Sequence, residues 1–242
     1  MSEALLEVDA VTKRFGGFVA LSQVSLTVRS GERLGIIGPN GSGKTTLINC
    51  ICGSLYSDAG SIGFDGVEVT RFAAHRRARL GIARSFQVPR PFSSMTLAEN
   101  IAVPLEYVAH RRSLHRADVS AEARAILAQM GLADRADAPT LTLTQVDLRK
   151  LELARALATR PRLLILDEVM AGLSSVEVDE MLGIILGLSR QGVTIMMIEH
   201  IMRAIMRFSE RVVCLDAGRI MAEGTPAQIV QDPNVQRIYL GD

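Results

Sequence analysis

The run from Gly38 to Thr46 reads GPNGSGKTT, and it constrains the fold more than any other part of the chain. Gly38, Gly43, Lys44 and Thr45 stand at the G-x-x-x-x-G-K-[ST] spacing of a phosphate-binding loop. Such a loop works between a strand and a helix, because small residues let consecutive backbone N–H groups curl around an anion while the helix directs its positive end at it. The run therefore predicts an α/β fold with a strand, this loop and a helix in that order.

The flanking residues meet this requirement. Arg33 to Ile37 is a short apolar run that suits a strand, and Thr46 to Cys52 suits a helix. We expect Lys44 to reach the β- and γ-phosphates of a nucleoside triphosphate and the Thr45 hydroxyl to ligate Mg²⁺. A glycine-rich turn without a ligand is the alternative, which the flanking pattern disfavours. The residues expected around the phosphates are Gly38, Pro39, Asn40, Gly41, Ser42, Gly43, Lys44, Thr45 and Thr46.

Composition favours a globular, cytoplasmic protein. The 242 residues are 48% hydrophobic, and the net charge of +1 creates no overall field that would favour nucleic acid or an anionic membrane. No segment resembles a signal peptide, and no apolar run approaches about 18 residues, so any membrane role is expected to come through a partner. Basic clusters at 75–79 and 110–116 are interpreted as solvated faces.

Cys50, Cys52 and Cys214 cannot form a paired disulfide framework. Their neighbours are apolar, which favours packed thiols in a reducing compartment. Because no histidine accompanies Cys50 and Cys52 at zinc-site spacing, we do not interpret them as metal ligands.

The order of predicted elements indicates a P-loop NTPase core with a mostly parallel sheet, an N-terminal antiparallel β subdomain and an inserted α-helical subdomain at about 88–159. Alternating strand and helix patterns after residue 160 imply parallel strands covered on both faces. We treat residues 1–242 as one domain. The predicted strands are Leu5–Val8, Val24–Val28, Arg33–Ile37, Leu163–Leu166, Thr194–Ile198, Arg211–Cys214 and Arg219–Ala222, with a hairpin at Gly60–Val69; the clearest helices are Ala121–Met130, Leu148–Ala158, Val176–Ser189 and one beginning at Thr225-Pro226.

Two acidic residues end a buried strand in the segment LLILDE, at Asp167 and Glu168. Adjacent residues emerge on different sides of a strand, so Asp167 can face Mg²⁺ while Glu168 polarises a water that attacks the γ-phosphate. Solvated acids at a strand end are the alternative. His200 follows the strand Thr194–Ile198, and by itself it is equally compatible with a structural role and with holding the γ-phosphate or the attacking water.

The chain resembles the ATP-binding subunits of ABC transporters over essentially its whole length. The matching motifs are an aromatic after Lys-Arg, GPNGSGKTT, Ser-Phe-Gln, LELARALA, LLILDE and Ile-Glu-His, at Phe15, 38–46, 85–87, 151–158, 163–168 and 198–200. Within that family, RFGG at 14–17, ARSFQ at 83–87, MTLAEN at 95–100, IEH at 198–200 and the C-terminal tail AEGTPAQIVQDPNVQRIYLGD are similar to the importers of branched-chain amino acids.

The resemblance implies ATP with Mg²⁺ as the nucleotide and a role for each matched residue. Phe15 stacks on adenine, and Gln87 contacts Mg²⁺ and water and senses the membrane subunit. Glu168 is the catalytic glutamate, and His200 is the switch histidine at the γ-phosphate. Two ATP-binding subunits face each other, and each phosphate loop is completed by a signature, Leu-Ser-Gly-Gly-Gln or Leu-Ser-Tyr-Gly-Gln, from its partner. The implied partners are this second subunit, transmembrane permease subunits and an extracytoplasmic binding protein.

The signature departs from the family pattern. Counting back from LELARAL places it at Leu143, Thr144, Gln145, Val146 and Asp147, where no glycine occurs; an out-of-phase match at 141–145 also lacks one. We expect Val146 to resist the positive φ that glycine permits. A carboxylate at Asp147, about 6 Å from a partner's γ-phosphate, would repel it by on the order of 2 to 3 kcal/mol at an effective dielectric near 20. A heterodimer with a subunit that carries an intact signature is therefore predicted.

Two milder departures concern the partner-facing loop, where Val169 replaces the usual proline and Ser174 the usual Asp or Asn. The favoured interpretation is an ATPase on the inner face of the cell membrane that energises an importer for branched-chain or other hydrophobic amino acids. Urea, amides and aromatic acids remain alternative cargoes. The other functions considered are a low-turnover regulatory nucleotide-binding subunit and a non-transport ABC ATPase.

Overall fold

The computed structural model describes residues 4–86, 88–108 and 116–240. Its strands are β1 (Ala4–Phe15), β2 (Phe18–Arg29), β3 (Arg33–Ile37), β4 (Ala59–Phe64), β5 (Val67–Glu68), β6 (Ile82–Ser85), β7 (Leu163–Asp167), β8 (Thr194–Ile198), β9 (Arg211–Asp216) and β10 (Arg219–Gly224). Its helices are α1 (Lys44–Cys52), α2 (Ala74–Leu80), α3 (Leu97–Tyr107), α4 (Arg116–Gln129), α5 (Gln145–Leu157), α6 (Ser175–Arg190), α7 (Met202–Phe208), α8 (Pro226–Gln231) and α9 (Pro233–Leu240).

A six-stranded sheet in the order β10-β9-β3-β8-β7-β6 forms the centre of the fold, and only β10 runs antiparallel to its neighbour. Buried side chains alternate between its faces. In β7, Leu163 and Ile165 pack on the side of α1, whereas Leu164 and Leu166 pack on the side of α5 and α6. Both faces are thus covered, as the continuous apolar strands predicted.

The N-terminal β-structure forms a second sheet in the order β2-β1-β4-β5, with antiparallel pairing throughout. The predicted Asp-Gly turn is present at Asp65 and Gly66, whose φ angles of 52° and 73° are both positive. Positive φ at both central residues matches the twist of the flanking strands, which explains why this dipeptide predicted the hairpin.

The helices α3, α4 and α5 lie between β6 and β7 in the chain, where the helical insertion was predicted. Helix α5 begins at Gln145, three residues before the predicted start at Leu148, because the Thr144 side chain caps it by accepting the Asp147 N–H. Within the described ranges, no helix is both long and apolar enough to span a bilayer.

Helices α2, α7 and α9 were not predicted from sequence. In the basic cluster at 75–79, His75, Arg76 and Arg79 are exposed as expected, but Arg77 is not. Arg77, in α2, is fully buried rather than part of a solvated face. The second basic cluster, at 110–116, falls largely outside the described residues. The helical pattern of α2 was hidden because its single inward-facing side chain is an arginine.

Arg77 is buried because it closes the C-terminus of α1. Its Nη1 donates to the carbonyls of Cys50 and Ile51 at 2.6 and 2.8 Å, while Nη2 and Nε donate to Thr70 and Phe72 at 2.9 Å each. Two of these carbonyls belong to the last turn of α1, where the helix supplies few donors; that of Cys50 also accepts the Gly53 N–H at 3.3 Å. A cation there also complements the helix dipole, so Arg77 holds the helix that follows the phosphate loop.

Replacing Arg77 with Met should lower the free energy of unfolding by about 3 kcal/mol or more, because four carbonyls lose their donor inside the protein. Urea unfolding followed by circular dichroism measures the change. Arg79→Met, at an exposed position of the same helix, is the matched control and should have little effect. Equal losses for the two variants would contradict the capping role.

Candidate active site

The phosphate-binding loop connects β3 to α1, and its glycines are required by backbone geometry. Gly38 and Gly43 have φ angles of 150° and 106°. A Cβ at Gly38 would lie 2.1 Å from the Leu215 carbonyl oxygen, and one at Gly43 would lie 2.7 Å from that of Ala20. No side chain fits at either position, which confirms the tight strand-to-helix turn that the spacing predicted.

The loop has the donors that a triphosphate needs. The first amides of α1 have no acceptor within the helix, and its N-cap residue, Gly43, has no side chain that could cap them. Lys44 Nζ donates to the carbonyls of Gly38 and Pro39 at 2.8 and 2.9 Å, and burial lowers its pKa although Glu168 and Asp167 oppose the shift. The hydroxyl of Ser42 is buried without a hydrogen-bond partner among the described residues. These features fit a phosphate chain.

Two exposed aromatic rings extend this surface. Phe15 and Phe18 face each other across the β1–β2 turn and are 49% and 63% exposed. Together with the phosphate loop and Glu168 they line a cleft of about 250 Å³. The sequence interpretation named Phe15 and missed Phe18, although the two-residue Gly16-Gly17 turn already placed the rings opposite each other.

Asp167 ends β7 beside the loop, and it is 5% exposed. Its Oδ2 accepts a hydrogen bond from Arg84 Nη2 at 2.6 Å, and Arg84 Nη1 donates to Asn49 Oδ1 on α1, also at 2.6 Å. Arg84, on β6, was not singled out from sequence because nothing in the sequence pairs it with Asp167. It fixes the carboxylate between the sheet and α1.

The donor set fits Mg²⁺ in the manner expected of a nucleotide site. Over the ranges that the structure describes, no three His, Cys, Asp or Glu side chains gather as a metal cage. Mg²⁺ at nucleotide sites takes few protein ligands and completes its shell with phosphate and water. The hydroxyl of Thr45, exposed at the start of α1, and the carboxylate of Asp167 are the groups that fit. Gln87, also predicted to contact Mg²⁺, lies outside the described residues.

Glu168 and His200 are brought together, as the strand order predicted. The Nε2 of His200 lies 2.8 Å from Glu168 Oε1. Glu168 has a φ of 51°, and its N–H donates to the Ile198 carbonyl at 2.9 Å. Positive φ is costly for a residue with a Cβ, and such strain concentrates at functional positions. The turn directs Glu168 into the cleft while Asp167 stays buried.

Comparison with known proteins decides the family. The sequence profile described as "ABC transporter" matches residues 21–171, which is more than half of the chain. The chain belongs to the ABC transporter family of ATP-binding proteins. A second profile, described as "Branched-chain amino acid ATP-binding cassette transporter", matches residues 219–242.

Individual relatives cover the whole length. The high-affinity branched-chain amino acid transport ATP-binding protein BraF of Pseudomonas aeruginosa is 38% identical over 256 residues, and LivG of Escherichia coli, with the same description, is 36% identical over 254 residues; each alignment spans 100% of both proteins. An ATP-binding cassette of an ABC transporter in its ADP conformation has a TM-score of 0.89 at 29% identity, covering 100% of both chains. A nucleotide-free cassette has a TM-score of 0.88 at 31% identity, covering 99% of this chain and 100% of the other. The chain is thus an ABC-type ATPase.

The segment predicted to be the signature, 143–147, leads into the regular helix α5, and one expectation about it is wrong. Val146 lies in the first turn of α5 and packs against the core, so this position does not require the positive φ that valine would resist. The Asp147 carboxylate accepts from Arg135 Nη1 at 2.7 Å and lies 3.8 Å from Lys150 Nζ. These two cations reduce the predicted repulsion of a partner's phosphate. The Asp147 carboxylate itself places a negative charge at the N-terminus of α5, which is the positive end of the helix dipole.

Glu199, which the sequence interpretation passed over, is a buried acid next to His200. It is 2% exposed, and its Oε1 accepts the Met170 N–H at 2.8 Å. Burial raises the pKa of Glu199 to about 7, assisted by the negative charge of Glu168 and opposed by the backbone N–H donors of Met170 and His200 and by Arg149. A carboxylate this deep costs stability whenever it is ionised.

The raised pKa of Glu199 predicts a pH-dependent stability. The unfolded chain releases this proton near pH 4.5 and the folded chain near pH 7, so the folded state binds more protons in between. Stability contributed by Glu199 is complete below about pH 4.5 and lost as the pH rises to 7. Relative to Glu199→Gln, the wild type should lose up to about 3 kcal/mol between pH 4.5 and 7.5. Urea unfolding of both proteins across this range measures it, and a pH-independent difference would contradict the shift.

Proposed function

We propose that this ABC ATPase energises an importer for branched-chain or other hydrophobic amino acids. The observation that carries the hydrolytic role is the contact of Glu168 with His200, 2.8 Å apart at the mouth of the phosphate-loop cleft. The importer class rests on relatives described as branched-chain amino acid transport proteins, which align over the full length of the chain.

The roles follow from position. Phe15 and Phe18 offer apolar faces for adenine, and Lys44 with the first amides of α1 holds the phosphates. Thr45 and Asp167 would hold Mg²⁺, Asp167 from its outer shell, and the ion would supply positive charge that offsets the charge of the phosphates. Glu168 accepts a proton of the attacking water and orients it.

His200 completes this arrangement. Its imidazole holds the Glu168 carboxylate toward the cleft, and from the same position it can contact the γ-phosphate. Gln87, adjacent in sequence to Phe86, is proposed to contact Mg²⁺ and water and to report the state of the membrane partner.

The proposed location is the cytoplasmic face of the cell membrane, through permease subunits. An apolar groove of about 360 Å³ runs between the core and the helical segment and is lined by Phe86, Pro104, Tyr107 and Arg155 among others. Phe86 and Tyr107 are 54% and 73% exposed, which suits contact with another protein. An extracytoplasmic binding protein completes the proposed importer.

The second ATP-binding subunit is proposed to be a different chain. ATP bound at a partner's phosphate loop would approach the N-terminus of α5, where the Thr144 hydroxyl already accepts the Asp147 N–H and the Asp147 carboxylate already accepts from Arg135. In addition, Gln145 and Val146 replace the small residues of the family signature. This chain therefore supplies a full set of phosphate-loop residues and a poor signature, and an intact signature has to come from its partner. Val169 and Ser174 are milder departures in the neighbouring loop, and they concern details of the proposed interface rather than catalysis.

Replacing Glu168 with Gln should lower ATP turnover on the order of 10²-fold or more while ATP binding is retained, because the amide cannot accept the water proton. The measurements are phosphate release by the transporter purified from its own cells and binding of a fluorescent ATP analogue. Glu210→Gln, at an exposed acid on the opposite edge of the sheet, is the control and should turn over normally. Undiminished turnover of the Glu168 variant would remove this residue from the hydrolytic step.

A further inference from the structure

A buried side chain, that of Glu199, joins the segment that carries His200 to the segment that carries Glu168. Glu199 accepts the Met170 N–H at 2.8 Å and directly precedes His200. Met170 lies two residues beyond Glu168 and is fully buried. The loop after β7 is thereby fastened to the end of β8 from inside the protein.

The hydrogen bond between Met170 and Glu199 lies close to Glu168, a residue with a strained backbone. A positive φ of 51° at Glu168 persists only when the surroundings over-determine the backbone. Two hydrogen bonds do so: Glu168 N–H donates to the Ile198 carbonyl, and Met170 N–H donates to Glu199. They enclose the turn on either side, and both acceptors belong to the segment that leads into His200.

Helix α5 reaches the same loop through a second buried charge. Arg149 is 8% exposed, and its Nη2 lies 3.5 Å from the Ala171 carbonyl oxygen. Its Nε and Nη1 have no hydrogen-bond partner among the described residues. Burial lowers the pKa of Arg149, and the nearby charges of Glu199, Glu152 and Glu168 oppose that shift. The positive charge thus compensates Glu199 and ties the signature helix to the catalytic loop.

We propose that Glu199 is a positioning residue for ATP hydrolysis: by accepting the Met170 N–H, it holds the turn at Glu168 in the conformation that pairs Glu168 with His200. Arg149 supports it from α5. This inference rests on the proposed role of Glu168. Glu199 itself touches neither nucleotide nor water, so its removal should affect turnover without affecting ATP affinity.

Glu199→Ala should lower kcat on the order of 10²-fold with KM and ATP-analogue binding unchanged, since small displacements of a catalytic group cost this much. Glu199→Gln keeps an acceptor oxygen and should retain most activity. Glu199→Asp keeps the charge but is one methylene too short for Met170, and it should resemble the alanine variant. All are measured in the transporter purified from its own cells.

The matched control is Glu32→Ala. Glu32 is also a buried acid that accepts a backbone N–H, that of Arg29 at 2.8 Å, but it lies at the amino end of β3. Its replacement should lower thermal stability and leave kcat unchanged. At fixed pH, the ring ¹⁵N resonance of His200 in the isolated chain should shift alike in Glu199→Asp and Glu168→Gln, and stay near the wild type in Glu199→Gln.

Three results would overturn the inference: wild-type kcat in Glu199→Ala, equal loss of kcat in Glu32→Ala, or better activity in Glu199→Asp than in Glu199→Gln. If the alanine variant does not fold, the order of the Asp and Gln variants decides alone. The Glu168→Gln variant leaves Glu199 unchanged, so it tests only the proposed role of Glu168 in hydrolysis. Normal turnover of that variant in the same preparation would contradict the proposed function rather than the role of Glu199.

Discussion

Three parallel strands of the central sheet end within one residue of the same level, and the site depends on that register. Ile36 of β3 lies opposite Ile198 of β8, and Ile198 lies opposite Asp167 of β7. The phosphate loop, the acidic pair and His200 follow these three strand ends, so parallel pairing alone brings together residues far apart in sequence. If the pairing of β7 slipped by one residue, each side chain of the strand would turn to the opposite face, and Asp167 would no longer occupy its buried position beside the loop.

Buried charge is concentrated around this edge. Asp167 is paired with Arg84, and Glu199 accepts the Met170 N–H while the charge of Arg149 opposes the rise of its pKa. Buried ions of this kind are poor sources of stability, and their value here is that each fixes a backbone segment or a carboxylate in one position. The site therefore combines hydrogen-bonded buried charges beside the phosphate loop with backbone strain at Glu168, where the chemistry is expected.

Features that depend only on a few neighbouring residues could be predicted from the sequence. The glycines of the phosphate loop, the Asp65-Gly66 turn and the continuous apolar strands each carry a backbone or burial requirement that is visible in a few residues. Arg77 could not be placed this way, because an arginine in a basic run is normally solvated and only the end of α1 explains its burial. The ion pair between Asp147 and Arg135, twelve residues earlier in the chain, could not be read from the sequence either, so Asp147 was expected to repel a partner's phosphate although Arg135 holds it.

We propose that this chain supplies a hydrolytic site on its own phosphate loop and needs a signature from a different chain. The most direct measurement compares phosphate release per phosphate loop by the isolated chain, over a range of protein concentrations, with release by the purified transporter. We predict that the isolated chain releases phosphate about 10-fold or more slowly than the transporter does, even at concentrations at which it self-associates. The reason is that the oriented hydrogen-bond donors of an intact signature are then missing from the phosphate. Equal turnover by the isolated chain would contradict it.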